Sequence, residues 1–250
     1  MKIDCNDANV IKDIWFSHDI IGKGYGFVGF VRGSALYGTY SDESDIDIGI
    51  IVPDDTEFID IEGVFDNEKC DTRIHPSVVT RVFEKGENSK DVDIDCQFVR
   101  RSDFIDMIKE HTPFALEALG TNAVGIEEYR EYFTLDVWQL RKSFGGVANN
   151  SWSKAHKKMT VDNDLDVKCG VKSLFHSIRL QEFACQIAQY NIFIDFKSCK
   201  SLWEDIKNDW ENGYTWEDFK SKYKPIYNEW HSEMVKLCPK PESEYKSAKR

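Results

Sequence analysis

The spacing of apolar positions changes near the middle of the chain, and that change predicts its architecture. Phe27 to Arg32 is a short apolar run rich in Val and Phe and reads as a strand. Gly33-Ser34 follows with a brief helical turn, and Gly38 to Ser44 is a polar loop. Asp45 to Val52 (DIDIGIIV) alternates and then becomes wholly apolar, as a strand does on entering a core; Pro53-Asp54-Asp55 ends it. Val78 to Phe83 and Val92 to Val99 are two further strands, with Gly86 to Ser89 as a hairpin turn between them. Helical spacing marks 8–21, which Gly22 to Gly26 interrupts, and 103–119. Beyond Glu127 nearly every segment is helical: 127–142, 152–160, 165–190, 200–211 and 215–237. The tail 239–250 is polar, carries Pro239 and Pro241, and is expected to fray. The pattern therefore predicts a part mixing strands and helices, then an all-helical part, with a boundary near Asn122 to Glu127.

Composition narrows the function classes. With 41% hydrophobic residues and seven Trp in 250 residues, the chain can build a sizeable core and is not a disordered segment. A net charge of −12 excludes a generic polyanion binder. That charge is uneven. Residues 1–125 hold 12 Lys and Arg against 25 Asp and Glu, leaving −13, whereas the remainder holds 20 against 19, leaving +1. The acidic half must bring in cations to handle phosphate, and the second half is the better candidate to touch a polyanion. The seven Cys form no CxxC pair and no zinc-finger spacing, which predicts reduced, mostly buried thiols. The N-terminal stretch shows no apolar signal segment, and no apolar run reaches the ~20 residues of a membrane span, so a soluble, cytoplasmic protein is expected.

Chemistry enters at Asp45 and Asp47. Residues two apart on a strand point to the same face, so both carboxylates project together. Their repulsion favours a hard divalent cation between them, Mg²⁺ or Mn²⁺ in its place. Upstream, Gly33 lets the backbone approach a ligand, and the helix-start N–H groups beside Ser34 suit an anion. A phosphate cradle and a metal site thus fall within about 15 residues, the scale of one supersecondary unit. A third carboxylate would complete a two-metal site. The strand DVDIDCQFV offers Asp91, Asp93 and Asp95 on one face, and its residues alone do not choose among them.

The stretch from Gly33 to Asp47 (GSALYGTYSDESDID) resembles the GS…G…SDxD signature of polymerase-β-like nucleotidyltransferases. The resemblance implies an α+β fold: a nucleotidyltransferase catalytic domain over 1–125 with a small mixed sheet, followed by an all-helical domain over 126–250. It implies that Gly33, Ser34 and Ser44 serve the nucleotide triphosphate, and that Asp45 and Asp47 bind Mg²⁺. The segment from Asp95 to Phe104 and then Pro113 to Leu119 is similar to a subgroup linked to RNA repair, in which the acidic residue stands nine before a helix Phe. That spacing implies Asp95 rather than Asp93 as the third catalytic and metal-binding carboxylate. Lys172 to Leu180 resembles the same subgroup's KxxxHxxRL helix, which implies nucleotide or RNA contacts for Lys172, His176 and Arg179. Their spacing of i, i+4 and i+7 puts them on one helix face. Ser151 to Lys158 (SWSKAHKK) is a second basic element.

The resemblance implies NTP-dependent nucleotidyl transfer with a hydroxyl acceptor, first an RNA end, including that of a tRNA. The acidic first half suits a cationic small molecule of the aminoglycoside kind, or a protein side chain, at least as well. A catalytically silent nucleotide-binding module is the reading from another class; it is disfavoured because the GS turn and both DxD carboxylates are present.

Overall fold

The computed structural model describes residues 2–4, 27–41, 44–59, 71–83 and 90–241. The expected helix over 8–21, its glycine interruption and the 86–89 turn lie outside the described residues. Contacts divide the chain into two compact units, Met1–Lys109 with Phe114–Phe133, and Glu110–Pro113 with Thr134–Arg250.

The first unit is built on a four-stranded mixed sheet in the order β2-β3-β6-β5. Its strands are β2 (Val28–Val31), β3 (Ile46–Val52), β5 (His75–Phe83) and β6 (Lys90–Arg100). β3 runs antiparallel to β2 and parallel to β6, and β5 pairs antiparallel with β6 as the predicted hairpin requires. β1 (Lys2–Asp4) and β4 (Glu57–Ile59) form a separate parallel pair. β3 and β6 are the central strands, which explains the wholly apolar end of β3 and the apolar positions of β6: Ile48, Ile50, Ile51, Val52, Ile94, Cys96, Phe98 and Val99 are all buried.

Gly49 is required by a ring. It is the register partner of Phe30, and a Cβ there would lie 2.1 Å from Phe30 Cζ. The space it leaves lets Phe30 pack edge-on against Phe114 at 5.5 Å, and Phe104 in turn meets Phe114 and Tyr129 at 6.4 and 5.1 Å. Gly49→Ala is therefore expected to displace Phe30 and destabilise the protein by about 1–3 kcal/mol, the usual cost of overpacking a core, read as a lower urea midpoint.

The helix expected over 103–119 is two helices, α2 (Arg101–Lys109) and α3 (Pro113–Gly120), after the short α1 (Gly33–Tyr37). Pro113 disfavours helical backbone at the residue before it, and His111 turns left-handed at φ 57°. Buried His111 is held there by the Asp136 N–H, which donates to its Nε2 at 2.9 Å. The helix expected over 127–142 is likewise split into a 3-10 turn, Ile126–Tyr132, and a helix that begins at Val137. Asp136 sets that start by accepting from the Gln139 N–H at 2.9 Å.

The second unit is helical: α4 (Val137–Thr160), α5 (Val167–Tyr190), α6 (Lys200–Glu211) and α7 (Trp216–Leu237). α5 is its centre, and between Gly170 and Ile187 only Lys172 and His176 escape burial. The fold is thus α+β, a small mixed sheet followed by helices. Cys169, Cys185, Cys199 and Cys238 are free thiols, and burial pushes Cys185 and Cys199 up to about 12. Among the described residues no helix is long and apolar enough to cross a membrane.

Candidate active site

Two parallel strands bring three carboxylates together. Asp45 stands one residue before β3 and Asp47 is its second residue; the register sets Asp47 opposite Asp95 on β6. One carboxylate oxygen from each of Asp45, Asp47 and Asp95 lies within 4.8 Å of the other two. Asp45 is exposed, while Asp47 and Asp95 are half-buried. Burial, then the charges of Asp47 and Asp45, push Asp95 up to about 6, against a smaller opposing pull from Arg32. Its Oδ1 is buried and has no hydrogen-bond partner among the described residues. Asp91 and Asp93 precede the first β3–β6 pair, Ile46 with Ile94, so the register singles out Asp95 as the partner of Asp47.

Gly33 opens α1 beside this cluster at φ 61°, and a Cβ on it would lie 1.7 Å from Asp47 Oδ2. Only glycine leaves that oxygen room. Ser34 Oγ is buried with no hydrogen-bond partner among the described residues. At five residues α1 is too short for a strong helix dipole, so Ser34 Oγ and the close backbone are what the turn offers an anion. Tyr37 ends the turn and donates from its hydroxyl to buried Glu117 of α3 at 2.7 Å, which fixes the turn on the unit's core. Ser44 is engaged locally, its Oγ accepting from the Ser41 N–H at 3.0 Å, so its side chain shapes the loop that delivers Asp45.

Arg32 is a site residue that the sequence pattern did not single out. Its N–H donates to Asp47 O at 3.0 Å, its Nη1 donates to Gln97 Oε1, and its guanidinium lies 4.2 Å from the Phe114 ring centroid. It is the cation whose charge favours ionised Asp95. Its place directly before Gly33 was the available signal, but strand residue parity alone does not show whether a long side chain turns inward.

The other expected nucleotide contacts lie on α5 in the second unit. Lys172 is exposed, His176 half-buried, and Arg179 only 1% exposed. Arg179 Nη2 is 2.6 Å from His176 Nδ1, and its guanidinium lies 4.8 Å from the Phe183 ring centroid. The helix face predicted from their spacing exists, but it runs from solvent into the interior, because α5 is the unit's central helix. In the second basic element, Lys157 and Lys158 pair with Asp164 at 2.9 and 2.7 Å, while Lys154 and His156 are exposed.

The carboxylate cluster fits a hard divalent cation. Its donors are all oxygens, Asp95 Oδ1 is buried with no donor to satisfy it among the described residues, and glycine clears the space beside Asp47 Oδ2. Gly33→Ala puts a methyl group into that space and strains a left-handed residue by about 1–2 kcal/mol. We expect Mg²⁺ affinity to fall by about 10–100-fold in calorimetric titration, the range seen when the support of a ligand is removed.

No protein-family model matches the chain, and no curated protein matches it. The crystal structure of a nucleotidyltransferase-like protein from Exiguobacterium sibiricum aligns over 90% of this chain and 71% of that one, with 8% identity and a TM-score of 0.27. A likeness at that level does not establish a shared fold.

Proposed function

We propose that the protein is a metal-dependent nucleotidyltransferase that moves a nucleoside monophosphate from an NTP to a hydroxyl on RNA, with a tRNA end included among the acceptors. The observation that carries this reading is the convergence of Asp45, Asp47 and Asp95 beside the Gly33-Ser34 turn. Residues 1–125 would be the catalytic domain and 126–250 the helical domain. Asp45, Asp47 and Asp95 would hold Mg²⁺ or Mn²⁺, which when bound neutralises charge developing on the phosphates. Ser34 Oγ donates to a phosphate oxygen, and Gly33 admits that phosphate to the backbone. Asp95 Oδ1, buried with no hydrogen-bond partner among the described residues, is placed to accept the proton of the attacking hydroxyl. The hydroxyl oxygen bonds to the α-phosphorus and pyrophosphate leaves. Lys172 and His176 supply further nucleotide or RNA contacts, and Arg179 holds His176 in place from the interior.

The charge of the first half favours a second acceptor class. Its excess of 25 acidic over 12 basic residues suits a cationic small molecule of the aminoglycoside kind, or a basic protein segment. Transfer of label from each α-labelled NTP into total RNA, total protein and a small-molecule panel, with Mg²⁺ or Mn²⁺, separates the readings. Label in RNA, absent with Asp45→Ala/Asp47→Ala, is the expected result. Label confined to protein or small molecules would retain the chemistry and overturn the RNA acceptor. NTP binding without transfer under either metal would overturn the enzyme.

A further inference from the structure

Most cations of the helical unit that stand beside a carboxylate are neutralised by it. Lys222 pairs with Asp209, Lys220 with Glu217, Lys236 with Glu233, and Lys157 and Lys158 with Asp164. One strip differs. α4 and α7 pack antiparallel: Arg141 donates to Cys238 O at 3.3 Å, Tyr227 donates its hydroxyl to Asn149 Oδ1, and Trp152 meets Tyr227 and Trp216 at 4.8 and 5.5 Å. Along this seam cations lie on rings. Lys224 Nζ sits 4.2 Å from the Trp152 centroid and 3.9 Å from that of Tyr227. Arg141 and Lys142 flank Trp138 at 5.3 and 5.9 Å. No carboxylate among the described residues pairs with Lys224, Arg141 or Lys142.

We propose that the α4–α7 seam binds single-stranded RNA, with Lys224, Arg141 and Lys142 on its phosphates and the solvent-facing parts of the half-buried Trp138 and Trp152 rings beside its bases. A cation held by a ring has no carboxylate competing for its charge, although burial lowers the pKa of Lys224. Rings interleaved with cations are the means by which proteins hold single strands, because every base offers a face to stack. An acidic peptide would use the charges and leave the rings idle. Trp138 to Trp152 spans fourteen residues of helix, about 21 Å, which suits the lower end of single-strand footprints, roughly four nucleotides. The near-neutral balance of residues 126–250 permits such a strip where the first half would repel it. This inference rests on the RNA-acceptor reading for its purpose and names a surface for that acceptor.

Fluorescence anisotropy with a labelled oligouridylate about 12 nucleotides long tests it on the full chain, without NTP. Lys142→Ala, at an exposed position, and the triple change Arg141→Ala/Lys142→Ala/Lys224→Ala are compared with the parent, and circular dichroism checks that each is folded. We expect the triple variant to bind at least about tenfold more weakly and its slope of log affinity against log salt to flatten by about 2, near 0.7 for each phosphate that is no longer neutralised. Lys224→Arg should bind like the parent. Matched duplex RNA should bind more weakly than the single strand. Unchanged affinity and slope in the triple variant, equal binding of the duplex, or stronger competition by a polyglutamate of equal charge would overturn the proposal. Tighter binding of oligodeoxythymidylate than of oligouridylate would overturn the choice of RNA. The two readings fail separately. If RNA is labelled equally well by parent and triple variant, the seam is wrong and the activity stands. If the seam binds RNA while only small molecules are labelled, the acceptor is wrong and the seam stands.

Discussion

Replacing Asp45 and Asp47 together with asparagine is expected to lower nucleotidyl transfer by about 10³-fold or more without unfolding the protein. Asparagine keeps the size of each side chain and removes its charge. The missing charge stabilisation at the phosphates is worth several kcal/mol, and each ~1.36 kcal/mol is a factor of ten in rate. Stability should move the other way. In the absence of a cation the three carboxylates, with oxygens within 4.8 Å, repel one another, so the variant's urea midpoint should equal or exceed the parent's. Transfer within about tenfold of the parent would remove these residues from the proposed mechanism. A collapse of the urea midpoint would instead mean that the pair is structural.

The second large effect concerns Asp95 and pH. Its pKa is about 6 in the folded protein against 3.8 for an ordinary aspartate, so the folded state keeps the proton to higher pH. Ionised Asp95 therefore works against the fold. Its penalty is absent below about pH 4, grows between about 4 and 6, and stays constant above, reaching about 2–3 kcal/mol in the cation-free protein. Asp95→Asn should abolish this dependence and raise the stability of the cation-free protein at pH 8 by up to that amount. A bound cation offsets the same penalty, so saturating Mg²⁺ should raise the melting temperature of the parent strongly at pH 8 and little at pH 5. The Asp95→Asn protein should respond little at either pH. Urea and thermal melts with and without Mg²⁺ at both pH values check each arm. A parent response to Mg²⁺ equal at pH 5 and pH 8 would refute the assignment.

Much of this geometry was legible in the sequence because it depends on neighbours in the chain. The period of two in DIDIGIIV placed Asp45 and Asp47 on one face, and the apolar end of that run marked a central strand. Helix ends with a local cause were also close: α6 falls on the predicted 200–211, and α7 starts one residue past its Thr215 cap, whose side chain and that of Asp218 satisfy each other's N–H groups. The errors came where distant residues intervene. The break between α2 and α3 needs a left-handed His111, and the N–H that its ring accepts comes from Asp136, 25 residues away.

The sequence by itself determined the α+β class, the edges of most elements and the pairing of Asp45 with Asp47, since backbone period, turn residues and caps act over a few residues. Tertiary structure decided which acidic residue of DVDID faces them. Asp91, Asp93 and Asp95 share one strand face, and only the register of β3 on β6 sets Asp95 opposite Asp47. It also decided that Arg32 lies between Phe114 and Gln97, that Arg179 is interior although its spacing matches exposed Lys172, and that the cations of the α4–α7 seam rest on rings rather than carboxylates. Each of these depends on which elements pack together, and a long side chain takes its direction from its surroundings, not from its position in a repeat.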